Sequence, residues 1–180
     1  MVTVGLRGGA GCSSAASVLA YGIATQHDKR ALLVDLDLNA GVQAVLFDEE
    51  PTEGFVGALE TPERIDPVFL NRTAARPHRN LSLLSQASSG APRLSDADLL
   101  RRLVLQTSKS MDVTLLDLPM RSAFGNDIAL SAGVVFSVTT PTLVGLRETV
   151  SFYNFLEQRG FTGTGYVLIN RTGEVSKGHV

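Results

Sequence analysis

One junction near the start of the chain constrains its fold more than any other. A short apolar run, Val2-Thr3-Val4, passes directly into the glycine-rich stretch GLRGGAGCSS (residues 5–14), and SAASVLAYGIA follows with the character of a helix. Strand, glycine turn, helix is the context in which backbone N–H groups converge on a phosphate. Gly8, Gly9 and Gly11 permit positive φ and close approach of the backbone to a ligand. A working loop of this kind carries Lys before Ser or Thr, so that an ammonium reaches the outer phosphates. Here that position is Cys12, followed by Ser13 and Ser14. Two other readings use the same residues. One is a tight strand-to-helix turn that holds no ligand. The other is a dinucleotide site, because GAGCSS begins like G-x-G-x-x-G and an acid follows about 20 residues on. Ser14 occupies the third glycine position, so that match is incomplete.

Further apolar runs read as buried parallel strands: ALLVDLD from Ala31, LSLLS from Leu81, DVTLLDLP from Asp112, GVVFSVT from Gly133 and GYVLIN from Gly165. Helical stripes lie between them. Ala16, Leu19, Ala20 and Ile23 form one, and Leu99, Leu100, Leu103 and Val104 a second, preceded by a capping-box-like Ser95 and Asp98. Leu146, Val150, Tyr153 and Leu156 form a third, closed by Gly160 as a C-cap. This alternation predicts a three-layer α/β sandwich, with a mostly parallel central sheet and helices on both faces. Ligands in such sheets sit at the carboxyl ends of the strands. The glycine loop, Asp35 and Asp37, and Asp117 all fall there. Buried acids at strand ends carry a desolvation cost that a cation would relieve; helix capping or exposed strand ends are the alternatives. Residues 48–80 are polar and contain prolines, and read as short helices and loops at the edge or top of the sheet.

At 180 residues, with 44% hydrophobic and 19% charged, the chain has enough apolar material for one globular domain. Residues 1–171 are expected to form it, and the polar stretch 172–180 a mobile tail. A formal net charge of -2 gives no strong nucleic-acid signal and no general attraction to anionic lipid. A single Cys excludes an internal disulfide and a thiolate cage, which fits a reducing compartment. Arg7 followed by small residues imitates a signal peptide, but glycines and serines interrupt the apolar run such a signal needs. No stretch approaches the roughly 18 apolar residues of a transmembrane segment. A cytoplasmic location is the expectation. His27, His78 and His179 carry no ligand spacing and default to solvated surface, as do the charges of Arg121, Arg147 and Arg171.

The ordered set RGGAGCSS, LLVDLDLNAG and DVTLLDLP resembles the deviant P-loop ATPases of the ParA/MinD class. Within that class it is most similar to the CpaE/TadZ group of pilus-assembly proteins, whose loops often carry a small residue in place of the P-loop lysine. The stretch GFVGALETPERIDPVFLNRTAARPHRNLSLL resembles that group too, so the likeness runs from Val2 to about Arg171. It implies a P-loop NTPase-like fold, ATP and Mg²⁺ as cofactors, and a homodimer. It also implies pilus or secretion components as further partners, and a location at the pole or inner-membrane periphery reached through them. Arg7 matches the signature lysine that reaches toward the partner's phosphates. Gly8, Gly9, Ala10, Gly11, Cys12, Ser13 and Ser14 match the phosphate loop, with Ser13 the Mg²⁺-binding hydroxyl. Asp37 matches the acid that orients the attacking water, Asp35 the metal's outer shell and Asp117 the Walker B acid. Asn170 matches a position near the base. Members of the group commonly carry a receiver-like domain ahead of this one and further elements after the strand ending at Asn170. This chain opens on its first strand and ends at Val180, so a domain truncated on its C-terminal side is expected.

Cys12 decides most about activity. A neutral thiol lacks the charge-assisted hydrogen bonds of an ammonium, each worth about 1.5–3 kcal/mol, or roughly ten- to hundredfold in affinity. Backbone N–H groups remain to bind phosphate, whereas hydrolysis depends on stabilising charge in the transition state. The resemblance therefore implies a localisation or assembly factor that binds ATP weakly and hydrolyses it poorly or not at all. An active partitioning ATPase and a nucleotide-free dimeric scaffold are the alternatives. A thiol at a helix N-terminus can be reactive, but a small residue that fits beneath the loop is the simpler reading of Cys12.

Overall fold

The computed structural model describes residues 1–38, 40–86, 97–118 and 123–174; Ser95, Arg121, His179 and the end of the tail lie outside them. Seven strands form one sheet in the order β3-β4-β2-β5-β1-β6-β7. These are β1 (Val2–Gly5), β2 (Ala31–Asp35), β3 (Ala75–His78), β4 (Leu81–Leu84), β5 (Val113–Leu118), β6 (Val134–Thr139) and β7 (Thr164–Ile169). All pairings are parallel except that of β3 with β4. The predicted α/β sandwich with a mostly parallel sheet is therefore the observed fold.

Alternation along the strands divides the core in two. Leu33, Leu81, Leu83 and Leu115 face α1 (Cys12–Gln26), which meets them through Ala16, Ala20 and Ala24. Three alanines at i, i+4 and i+8 give that helix a thin face, so its backbone lies close to the sheet. Leu32, Val34, Leu84, Leu116, Val2, Val4 and Val135 point the other way. They pack with α3 (Phe55–Glu60), α4 (Pro67–Thr73), α5 (Ala97–Thr107), α6 (Ala123–Ser131) and α7 (Leu143–Gln158). A short α2 (Gln43–Leu46) follows β2. Local chemistry sets the helix ends. Asp66 accepts from the Phe69 N–H at 2.7 Å with Pro67 at the start of α4, and Thr142 Oγ1 accepts from the Gly145 N–H at 3.0 Å. Gly160, at φ 76°, turns the chain out of α7 as its spacing predicts.

Three details differ from the sequence reading. Residues 75–78 add an antiparallel edge strand to the short helices expected between 48 and 80. Its Pro77 is tolerated because an edge strand needs only one row of hydrogen bonds. The α7 stripe is also rotated: Leu146 and Val150 are exposed, while Gly145, Phe152 and Leu156 face the core. Finally, β7 is an exposed edge rather than a buried strand, with Tyr166, Val167 and Ile169 all open to solvent. Its apolar composition matched a central strand, and composition does not report position in a sheet.

Leu33 is fully buried at the centre of the α1 face. Leu33→Ala is expected to lower unfolding stability by about 2–5 kcal/mol, read as a fall in the urea midpoint with unchanged slope.

Candidate functional site

The glycine loop joins β1 to α1. Gly9 and Gly11 adopt φ of 72° and 91°, the left-handed region that side chains resist. Arg7, Gly8 and Gly9 are exposed along its outer edge, Ala10 is buried, and Ser14 faces outward from the first turn of α1. The N-cap of α1 is Gly11, so no side chain caps the helix and its first-turn N–H groups remain open to an anion. The far end of the sheet braces the loop. Asn170 follows β7 and donates from Nδ2 to the Ala10 carbonyl at 2.9 Å, while its Oδ1 accepts from the Arg171 N–H at 2.9 Å. A Cβ on Gly11 would run into that same amide nitrogen.

Beneath the loop lie two buried acids. Asp35 and Asp117 are paired across the β2–β5 ladder, and Thr3 of β1 is paired with Asp117. Asp117 is surrounded by neutral donors. Its Oδ1 accepts from Thr3 Oγ1 at 3.3 Å and from Cys12 Sγ at 3.5 Å, and its Oδ2 accepts from Gln43 Nε2 at 2.7 Å. The Ser13 side chain also acts on Asp117, favouring its charged form. Asp35 organises backbone instead. Its two oxygens accept from the Asp37 and Gln43 N–H groups, each at 3.1 Å. Asp37 accepts from the Ala40 N–H at 3.0 Å, a side-chain-to-backbone turn. Gly41 is required here, since a Cβ would lie 2.5 Å from Asp35 Oδ2 and 2.7 Å from the Asp37 carbonyl.

Burial sets the electrostatics. It pushes Asp35 up to about 7, reinforced by the negative charge of Asp117 and opposed by the backbone N–H groups. Burial raises Asp117 too, against the hydrogen bonds from Gln43, Ser13, Cys12 and Thr3. The Cys12 thiol is driven far above its ordinary value, by burial and then by Asp117. A thiol in that condition remains protonated and is a poor nucleophile.

These residues fit a phosphorylated ligand with Mg²⁺ in part. The positive-φ glycines and the uncapped helix form a phosphate cradle. Ser13 and Asp117 supply the hydroxyl and carboxylate that suit a hard cation. No group of three or more His, Cys, Asp or Glu side chains among the described residues could hold a metal by itself, so a cation here would complete its shell with water or ligand oxygens. Thr3, Ser17, Gly41 and Gln43 belong to the site but did not stand out in the sequence. A polar residue at 3 in an apolar strand was the only legible signal among them. Among the other residues considered, Arg147 and Arg171 are exposed, as is His27. His78 is half-buried, edge-on to Tyr21 at 6.1 Å, and accepts from the Asn80 N–H at 3.2 Å, a structural role rather than solvated surface.

The fold is shared with known proteins. The ParA family ATPase from Chlorobium tepidum superposes with a TM-score of 0.80 at 18% identity, over 96% of this chain and 75% of that one. MinD from Pyrococcus horikoshii, in complex with Mg-ADP, gives 0.72 at 19%, over 97% and 72%. The chain has a ParA/MinD-type P-loop ATPase fold. The kinase domain of the Escherichia coli tyrosine kinase ETK shares it, with a TM-score of 0.74 at 20% identity over 99% of this chain and 70% of that one. By sequence, 150 residues are 25% identical to a tyrosine-protein kinase of Acinetobacter johnsonii, covering 81% of this chain and 20% of that relative. The chain thus spans about a fifth of the length of that curated relative. No family model matches. No described helix is long and apolar enough to cross a membrane.

The buried acids of this P-loop fold make stability depend on pH. Between the ordinary Asp value of 3.8 and about 7, folded Asp35 keeps a proton that the unfolded chain releases. Stability therefore falls as pH rises through that window, by up to about 1.4 kcal/mol per unit. Urea unfolding in EDTA is expected to show a higher midpoint at pH 5 than at pH 8, and Asp35→Asn to flatten the difference.

Proposed function

We propose that this chain is a CpaE/TadZ-like member of the ParA/MinD class, with a degenerate P-loop that binds Mg-ATP weakly and hydrolyses it slowly or not at all. It serves as a homodimeric localisation or assembly factor for a pilus machine. One observation carries the nucleotide half of the reading. The loop keeps its glycine geometry and open helix N-terminus, but the side chain at the lysine position is turned inward, where Cys12 donates to Asp117. Phosphate can be held by backbone N–H groups, while the cation that would stabilise developing charge is missing. The pilus assignment draws on the sequence motifs and on the fold shared with ParA and MinD proteins.

Each residue then has a task. Gly8–Ser14 cradle the phosphates and Arg7, exposed on the loop, reaches toward a second copy. Ser13 and Asp117 hold Mg²⁺ with Asp35 behind them, Asp37 orients water, and Asn170 ties the base end to the loop. Bound Mg²⁺ would supply the positive charge that partly offsets the lost ammonium. A second reading is a tyrosine kinase domain, favoured by the likeness to the Acinetobacter relative and to ETK. Cys12 counts against efficient phosphoryl transfer in that reading as well.

Calorimetry with Mg-ATP on the wild type and Cys12→Lys tests the reading. Wild type is expected to bind at micromolar to tens of micromolar, with negligible phosphate release and no phosphotyrosine. The variant is expected to bind roughly ten- to hundredfold tighter. Silence from both proteins would overturn it, and so would rapid turnover by the wild type.

A further inference from the structure

The most tightly held side chain at the site is not one of the motif residues. Gln43 opens α2 and is fully buried. Its Nε2 donates to Asp117 Oδ2 at 2.7 Å and to the Ser13 carbonyl at 3.0 Å. Its Oε1 accepts from Ser17 Oγ at 2.7 Å, and its backbone N–H donates to Asp35 Oδ2 at 3.1 Å. Both amide protons and the carbonyl of the side chain are therefore used. A neutral carboxamide bridges the loop helix and the acid of β5, the corner where Ser13 and Asp117 would otherwise meet a cation.

We propose that Gln43 is a positioning residue that competes with a divalent cation for Asp117, so that the cation enters only when α2 withdraws the carboxamide. This deepens the proposed function and rests on its assignment of Ser13 and Asp117 as the metal corner. The amide's N–H groups satisfy Asp117 by hydrogen bonding, as a cation would by charge. They cannot neutralise it, so a cation gains more from Asp117 than the amide does. The element carrying Gln43 is suited to move. α2 is four residues long and its Val42 cap, Val45 and Leu46 are exposed, so its apolar hold on the core is limited to buried Ala44 and to Phe47 at its C-cap.

A residue that simply filled space would be indifferent to metal, and this separates the two accounts. The probe is Mn²⁺ alone, titrated without nucleotide into the full chain and followed by electron paramagnetic resonance and thermal unfolding. The proteins are wild type, Gln43→Ala, Gln43→Glu and the double variant Gln43→Ala with Asp117→Asn. Gln43→Ala is expected to bind Mn²⁺ at least tenfold tighter than wild type, and the double variant to lose that gain. Gln43→Glu places a third carboxylate in the corner. Its melting temperature should drop in EDTA and recover with Mn²⁺ by more than the wild type gains. Equal or weaker Mn²⁺ binding by Gln43→Ala would overturn the proposal. If that variant does not fold, failure of Mn²⁺ to rescue Gln43→Glu would overturn it instead. A gain in Mn²⁺ affinity while Cys12→Lys remains silent to ATP would uphold the role of Gln43 and reject the nucleotide reading. ATP binding without any gain in Mn²⁺ would do the reverse.

Discussion

The buried carboxylate of Asp117 is the constraint around which the rest of the site is arranged. An ionised carboxylate removed from water must be hydrogen-bonded or neutralised. Here Thr3, Cys12 and Gln43 each bring a neutral donor to it, from β1, α1 and α2 respectively. Three elements far from β5 in sequence are thereby tied to one atom pair of it. Asp35, its neighbour in the ladder, extends the arrangement by fixing the loop that delivers Gln43. The loop's glycine at 41 follows from the same requirement, because nothing larger than hydrogen clears the Asp35 oxygens.

Substituting a thiol for an ammonium changes more than charge at this centre. A lysine at residue 12 would carry its nitrogen well beyond the reach of a two-atom side chain, and could serve an anion outside the loop. The Cys12 sulfur instead lies beneath the loop and donates inward. It becomes one more neutral partner for Asp117, and burial beside that acid keeps it protonated. The substitution thus removes a cation from the phosphate side and adds a donor on the acid side. Both changes favour a corner that is satisfied without a ligand.

The outline of the fold was legible because parallel strands buried on both faces are written as short apolar runs, and the runs at 31, 81, 112 and 133 each correspond to a strand. The convergence of the loop with Asp35 and Asp117 was legible for a related reason, since strand ends in such sheets share an edge. β3 was not, because ARPH is short, contains a proline and has no β-branched residue, and its place is set by pairing with β4. Nor was the exposure of β7, whose apolar residues look the same in a central strand. Gln43 was invisible for a different reason. A glutamine after a loop reads as surface, and only the tertiary approach of α1 and β5 gives its amide two acceptors and a donor. Polar residues at such junctions are specified by what surrounds them in space.

Asn170 shows how far the N-terminal loop depends on the last strand. Gly11 has no side chain to cap α1, and its left-handed backbone would be free to relax if the loop stood alone. The Asn170 amide prevents this by holding the Ala10 carbonyl and occupying the space a side chain on Gly11 would need. Its own position depends on β7, which is joined to the sheet only through β6. Any disturbance of that exposed edge is therefore transmitted to the phosphate loop through one amide. A cover over β7 would steady the loop without touching it, whereas fraying of β7 would loosen the hold of Asn170 on the Ala10 carbonyl. In this chain the shape of the first ten residues is partly decided by the hundred and seventieth.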